Sequence, residues 1–239
     1  MLEHSEQELQ TAVADDEAAA PLHPHLRLDH GAAEILRKVD TARAVEGLVY
    51  PDFEQALVEQ DEAPAGRPVG GIDFGWRNPF AAIWGYLDHD DVLWIEQERY
   101  LRETPVSDHA AALPRSVMWY ADPAGATEIA EFRRAGLLVR RGDNNIRRGI
   151  ALISARIRDG RLKVSPACVN LIAEARLYRY PSPAEREQVG ENPIDAHNHA
   201  LAALRYLVSR ISKTAPSDKP AAPAKKLSLL DDDARWTPI

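Results

Sequence analysis

Between Val69 and Arg141 the chain offers three apolar runs separated by turns, followed by a regular alternation of helix-like and strand-like segments. That order constrains the fold more than any other feature. The stretch "VGGIDFGWRNPFAAIWG" (69–85) reads as one apolar run, a turn at Arg77, Asn78 and Pro79, and a second run. Asp90 and Asp91 in "LDHDDVLW" mark a hairpin turn into a third. Strands are expected at 69–75, 80–87 and 92–99, a helix at 104–113, a strand at 116–122, a helix at 125–136 closed by Gly136, and a strand at 137–141. Helices follow at 144–160, 166–180 and 192–212, with "RLKVS" (161–165) short and extended between the first two. Three hairpin-linked strands followed by helix–strand–helix–strand–helix predict an α/β fold. Its mixed sheet has three antiparallel and two parallel strands, flanked by helices.

The segments around this core are of a different kind. Residues 1–28 are acidic and alanine-rich and read as disordered, 30–47 has helical spacing, 47–58 is extended, and 59–68 is a linker. The tail, 213–239, is Pro/Ala/Lys-rich and expected to be disordered up to about 226. Its last part, "LSLLDDDARW", reads either as a docking peptide or as plain tail. The expected organisation is an N-terminal extension (1–68), one folded domain (69–212) and the tail (213–239). No apolar run approaches the length of a membrane span, no signal peptide is evident, and the single Cys168 permits no intramolecular disulfide. These features lead us to expect a cytoplasmic protein without a membrane partner.

Two acids stand where acids are costly. Asp73 closes the first apolar run and Asp122 closes the fourth, and a carboxylate withdrawn from water requires a partner. If their strands are neighbours, the two converge at one sheet edge, where they repel unless a cation neutralises them. Oxygen ligands of this kind suit Mg²⁺ or Mn²⁺, and a two-metal site clamps the attacking and leaving oxygens of a phosphodiester. Asp122, before Pro123, also has a plain reading as a turn former or helix cap. On the last expected helix Asp195, His199 and Ala202 fall at i, i+4 and i+7 and so share a face. His199 is a candidate ligand or water-orienting group there. Asp195 is equally a helix N-cap.

The net charge of −8 argues against a nucleic-acid partner, but its distribution does not. From Arg133 to Lys163 ten cations face only Asp143 and Asp159, a local +8. Arg133, Arg134, Arg140, Arg141, Arg147 and Arg148 are the candidate phosphate contacts, the last two at a helix start where the dipole also favours anions. Solvated arginine faces on two helices are the competing explanation.

Five stretches in order resemble the C-terminal nuclease domain of phage large terminase subunits: "GLVYPDF" (47–53), "GIDFGWRNPFAAIWG" (71–85), "YADPAGATEIAEFRRAGL" (120–137), "RRGIALISARIRDGRLKVSPACVNLIAEARLYRYP" (147–181) and "DAHNHALAALRYLV" (195–208). The resemblance implies an RNase H-like fold, metal ligands at Asp73 and Asp122, and a supporting role for Glu174. The family carries an acid three residues after this histidine, where Ala202 stands here, so the resemblance leaves the third carboxylate to Asp195. A full large subunit also carries an ATPase motor, and this sequence has no phosphate-binding Gly-x4-Gly-Lys-Ser/Thr motif.

The implied function is metal-dependent endonuclease cleavage of double-stranded DNA during phage DNA packaging. Mg²⁺ or Mn²⁺ is the expected cofactor, Asp73, Asp122 and Asp195 the metal ligands, and His199 completes the catalytic set. A separate packaging ATPase, a small terminase subunit or a portal are the implied protein partners. The alternatives are a catalytically silent DNA-binding or assembly module, and another RNase H-like nuclease acting on junctions or RNA–DNA hybrids.

Overall fold

The computed structural model describes residues 47–58 and 65–212. The helix expected at 30–47 and the tail at 213–239 lie outside them. A six-stranded mixed sheet forms the centre, in the order β5-β4-β1-β2-β3-β6. β1 (Arg67–Asp73), β2 (Phe80–Leu87) and β3 (Leu93–Leu101) form the antiparallel meander that the two turns predict. β4 (Met118–Ala121) joins β1 in parallel, and β5 (Leu138–Arg141) joins β4 in parallel, each reached through a helix. Those helices are α1 (Val106–Ala112) and α2 (Ala126–Arg134).

The segment "RLKVS" supplies a sixth strand, β6 (Leu162–Val164), parallel to β3, where the sequence pattern indicated only an extended piece. Three residues with two buried side chains are too short to register as a period-2 pattern. α3 (Ile146–Arg158) precedes it and α4 (Val169–Leu177) follows. The stretch between the helices expected at 166–180 and 192–212 contains a further helix, α5 (Pro183–Val189). Its start signal is a capping box in which Ser182 and Glu185 satisfy each other's backbone N–H, with Pro183 at the first helical position. The last helix, α6 (His199–Ile211), begins at His199 rather than at residue 192.

The two sheet faces carry separate apolar layers. One gathers Val69, Ile83, Leu93 and Ile95 under Ile153, Leu171, Leu204 and Leu207 of α3, α4 and α6. The other packs Ile72, Phe80, Trp119 and Val139 under Ala110, Ile129 and Phe132 of α1 and α2. Residues 47–58, expected to lie in the extension, belong to the first layer. Val49, Tyr50, Phe53 and Ala56 are buried there, and the Val49 N–H bonds the Tyr178 carbonyl at 2.9 Å. A single apolar stretch preceding a linker gives no sequence sign of which surface it covers.

α6 crosses β1 closely because Gly71 lacks a side chain. A Cβ there would collide with the Ala203 carbonyl and meet the Leu207 side chain. This close approach brings the start of α6 to the carboxyl end of β1.

Candidate active site

The parallel pairing of β1 with β4 sets Ile72 opposite Ala121, and the Asp122 N–H bonds the Ile72 carbonyl at 3.0 Å. Asp73 and Asp122 therefore stand next to each other at the common end of two adjacent strands, the arrangement expected if those strands are neighbours. Asp73 is only 9% exposed. Burial raises its pKa, the hydrogen bond and charge of His199 oppose that, and the Asp122 carboxylate raises it further. Asp122 is half-buried, and its Oδ1 accepts the Ala124 N–H at 2.9 Å. It thus forms the turn that its plain reading called for while also facing Asp73. Among the described residues neither carboxylate is in an ion pair with an arginine or lysine.

His199 opens α6 and places Nδ1 3.0 Å from Oδ2 of Asp73, within hydrogen-bond distance. Burial lowers the His199 pKa, but the carboxylates of Asp73, Glu174 and Asp195 outweigh it, and the net shift is upward. Tyr206, seven residues on along the same helix face, is buried. Burial and then the charges of Asp73 and Asp122 hold its hydroxyl in the protonated state. Sequence reasoning passed over Tyr206, although the i+7 spacing from His199 was available to find it.

Glu174 of α4 holds this helix start in place. Its Oε1 accepts the Tyr100 hydroxyl at 2.8 Å and the His199 N–H at 2.9 Å, and its Oε2 accepts the Leu201 N–H at 3.0 Å. Burial pushes its pKa up to about 7 against these hydrogen bonds. Asn198, the residue before α6, makes no side-chain cap, so a carboxylate from another helix supplies the capping acceptors. Glu98 of β3 does the same for α4, accepting the N–H groups of Asn170 and Leu171 at 2.7 and 3.0 Å.

Asp195 is not on α6. It lies exposed in the preceding loop, where Oδ1 accepts from Asn198 Nδ2 at 3.0 Å. The shared helical face with His199 is therefore corrected: the helix starts four residues too late for it, and the pattern "NPIDAHN" forms a loop instead. Asp195 and His199 do line one cavity of about 230 Å³ together with Glu174 and Tyr100. Ala202 is buried one turn into α6. Among the described residues no group of three or more His, Cys, Asp or Glu side chains is arranged to hold a metal ion.

The arginines divide by role. Arg140 and Arg141 of β5 are exposed and sit in register beside Tyr120 and Ala121, adjoining Asp122, with no ion pair among the described residues. Arg134 is exposed, whereas Arg133 spends its Nε on the Val139 carbonyl at 2.9 Å. Arg147 and Arg148 make exposed pairs with Glu191 and Asp143 at 3.3 and 3.2 Å. Of the remaining basic run, Arg156 and Arg161 bind Asp91 at the β2–β3 turn and are structural.

No family model and no curated protein matches the chain. Solved structures do. The large terminase of the thermophilic bacteriophage D6E superposes with a TM-score of 0.62 at 19% identity, over 70% of this chain and 46% of that one. The P22 large terminase nuclease domain gives 0.57 at 22% identity, over 69% of this chain and 92% of the domain. The SPP1 large terminase nuclease domain, solved with bound Mn, gives 0.50 at 17% identity, over 65% and 97%. The chain thus spans about half the length of the D6E protein and matches nearly the whole of the isolated domains. Among the described residues no helix is long and apolar enough to cross a membrane. The chain has the RNase H-like α/β fold of phage large terminase nuclease domains.

Proposed function

We propose that this chain is the nuclease module of a phage DNA-packaging terminase, a metal-dependent endonuclease acting on double-stranded DNA. The observation that carries the reading is the pair Asp73 and Asp122 at the ends of two adjacent parallel strands, with His199 on Asp73 and, among the described residues, no arginine or lysine in an ion pair with either acid. A divalent ion fits this donor set. Mg²⁺ characteristically takes one or two carboxylates and completes its shell with water and substrate phosphates, so two acids without a third suffice to receive it alongside DNA. Asp73 and Asp122 would hold it, and bound there it would supply an activated water and stabilise charge on the phosphate.

The chain's own groups do the rest. His199 fixes the Asp73 carboxylate by its hydrogen bond, and Glu174 fixes His199 through the helix start. Tyr206 presents a neutral hydroxyl beside both acids. Arg140 and Arg141, next to Asp122 along the sheet, would take backbone phosphates without reading sequence. Asp195 contributes negative field at His199, and we assign it the weaker role of an outer acid reached from the loop. Arg134 extends the phosphate surface, as do Arg147 and Arg148 once their solvated pairs open, and Arg133 supports β5. A packaging ATPase, on the same polypeptide or another, a small terminase subunit and a portal are the proposed protein partners.

The test is conversion of supercoiled plasmid in Mn²⁺ or Mg²⁺, with Asp73→Asn and Asp122→Asn beside the wild type. Cleavage by wild type alone supports the assignment. A second reading, a DNA-binding assembly module without catalysis, is favoured by the alanine at position 202 and the missing third acid. Intact plasmid with wild type and mutants alike, together with a gel shift that survives in both mutants, would establish it.

A further inference from the structure

Arg99 of β3 is 8% exposed and, among the described residues, makes no ion pair. Its Nε donates to Nδ1 of His109 at 3.0 Å, and an imidazole that accepts there is neutral and returns no charge. Among the described residues no carboxylate lies within ion-pair distance of it. Asp108, the acid that acts on it, does so only through its field. Glu98, next in sequence, spends both oxygens on the start of α4. A buried guanidinium left in this state is costly unless something compensates it.

Its terminal nitrogens have no protein partner among the described residues, and Arg99 lines a cavity of about 710 Å³ on the sheet face that carries α1 and α2. Trp84, Tyr86, Leu113, Pro114 and Val117 supply apolar wall, and Glu96 and Glu98 line the cavity as well. Trp84 packs edge-on against Trp119 with centroids 5.7 Å apart, which fixes it as a rigid side of the cavity. A volume of this size, with an apolar and aromatic wall and a guanidinium whose terminal nitrogens open into it, matches the form of a small-molecule site. It is separate from Asp73 and His199, which lie under α6 on the opposite face.

We propose that this cavity binds an amphipathic monocarboxylate, its carboxylate in the fork of Arg99 and its aromatic or apolar body against Trp84 and Tyr86. The planar fork suits a carboxylate, which it grips through two parallel hydrogen bonds. The charge is limited to one because Glu96 and Glu98 also line the cavity, and their repulsion falls hardest on a dianion such as a phosphate monoester.

The full chain is titrated with indole-3-acetate, indole-3-acetamide and phenyl phosphate, followed by amide chemical shifts. Indole-3-acetate is expected to shift residues of β2 and β3 around Trp84 and Arg99, and to bind about tenfold more tightly than the amide or the phosphate ester. Arg99→Lys keeps the charge but loses the fork and should weaken binding about tenfold. Trp84→Ala, which leaves Arg99 in place, should weaken it independently, and Asp73→Asn should leave it unchanged. Equal binding of acid and amide, shifts that map elsewhere, or loss of binding in Asp73→Asn would overturn the proposal. So would shifts at these same residues on removing 227–239, since the cavity would then belong to the chain's own tail.

Discussion

The Glu174 carboxylate accepts the backbone N–H of His199 at 2.9 Å, while the His199 side chain lies 3.0 Å from Asp73. Two buried acids thus meet through one histidine, one bonded to its backbone and the other to its ring. The chain of support runs further back, since Glu98 holds the start of α4, which carries Glu174. A strand carboxylate therefore sets a helix whose own carboxylate sets the helix bearing His199.

Glu174→Ala should accordingly unseat the start of α6. The substitution leaves the N–H groups of His199 and Leu201 and the Tyr100 hydroxyl without their acceptor in a buried place. Each orphaned group costs about 1–3 kcal/mol, less whatever water regains. A total loss of about 2–4 kcal/mol is expected, read by urea unfolding. Amide exchange should accelerate first at residues 199–203, and a uniform loss of protection across the sheet would contradict the local role.

Stability should fall on acidification through a group remote from the acids. Burial, and then the charge of Arg99, lower the His109 pKa to about 4, and the ring stacks on Phe80 with centroids 3.7 Å apart. The unfolded chain takes up this proton near the ordinary 6.5, so between about 6.5 and 4 it binds more protons than the native state. The native state therefore loses stability as pH falls through that window, by at most about 3 kcal/mol. Glu174 has the opposite sign: its raised pKa stabilises the fold below 4.5, and this is lost as pH rises through about 7. Comparing wild type with His109→Gln cancels Glu174. The variant should lose less stability from pH 7 to 4, and parallel pH curves would refute the assignment.

The sheet was legible because its signals are local. Turns at Asn78-Pro79 and Asp90-Asp91 delimit the meander, and acids at 73 and 122 close buried runs whose parallel pairing follows from an intervening helix. What stayed hidden was set by tertiary contact. The Val49–Ala56 stretch is buried by packing that no short-range pattern encodes. The residues from 192 to 198 carry helix-compatible spacing, yet α6 starts at His199, where a carboxylate distant in sequence receives its first N–H groups. His197 just before it has a φ of +53°, which breaks a helix at that point. The capping box at Ser182 and Glu185 is readable in the sequence and lies between two expected helices, where no element is expected.

Ala202 offers a gain-of-function test. It lies one turn beyond His199, with Tyr206 one turn further, so an acid there is added beside Asp73 and Asp122. Without divalent ions Ala202→Asp should destabilise the fold, because a third buried carboxylate meets two others. With Mn²⁺ the order should invert, and calorimetry should find Mn²⁺ bound at least about tenfold more tightly than in wild type. Unchanged Mn²⁺ affinity would show that position 202 does not face the acids.

The arginines separate DNA contact from structure. Arg140 and Arg141 are exposed, free of ion pairs among the described residues, and adjacent to Asp122 along the sheet. Replacing both with Gln should leave the melting temperature nearly unchanged, since solvated side chains on an edge strand contribute little to stability. It should weaken binding to any duplex alike and lower the salt slope of log K by about 1 per charge removed. Arg156→Gln is the opposing control. That side chain is 3% exposed and holds the Asp91 carboxylate and carbonyl at 3.0 and 2.8 Å, so its loss should destabilise the fold by about 1–3 kcal/mol, Asp91 keeping Arg161 as a partner. The DNA affinity of the folded fraction should stay the same. If the double variant instead retained its salt slope while Arg156→Gln lost DNA affinity without unfolding, the phosphate surface would lie at the β2–β3 turn, on the side of the sheet away from the acids, and a cutting geometry built on Asp122 would have no strand to act on.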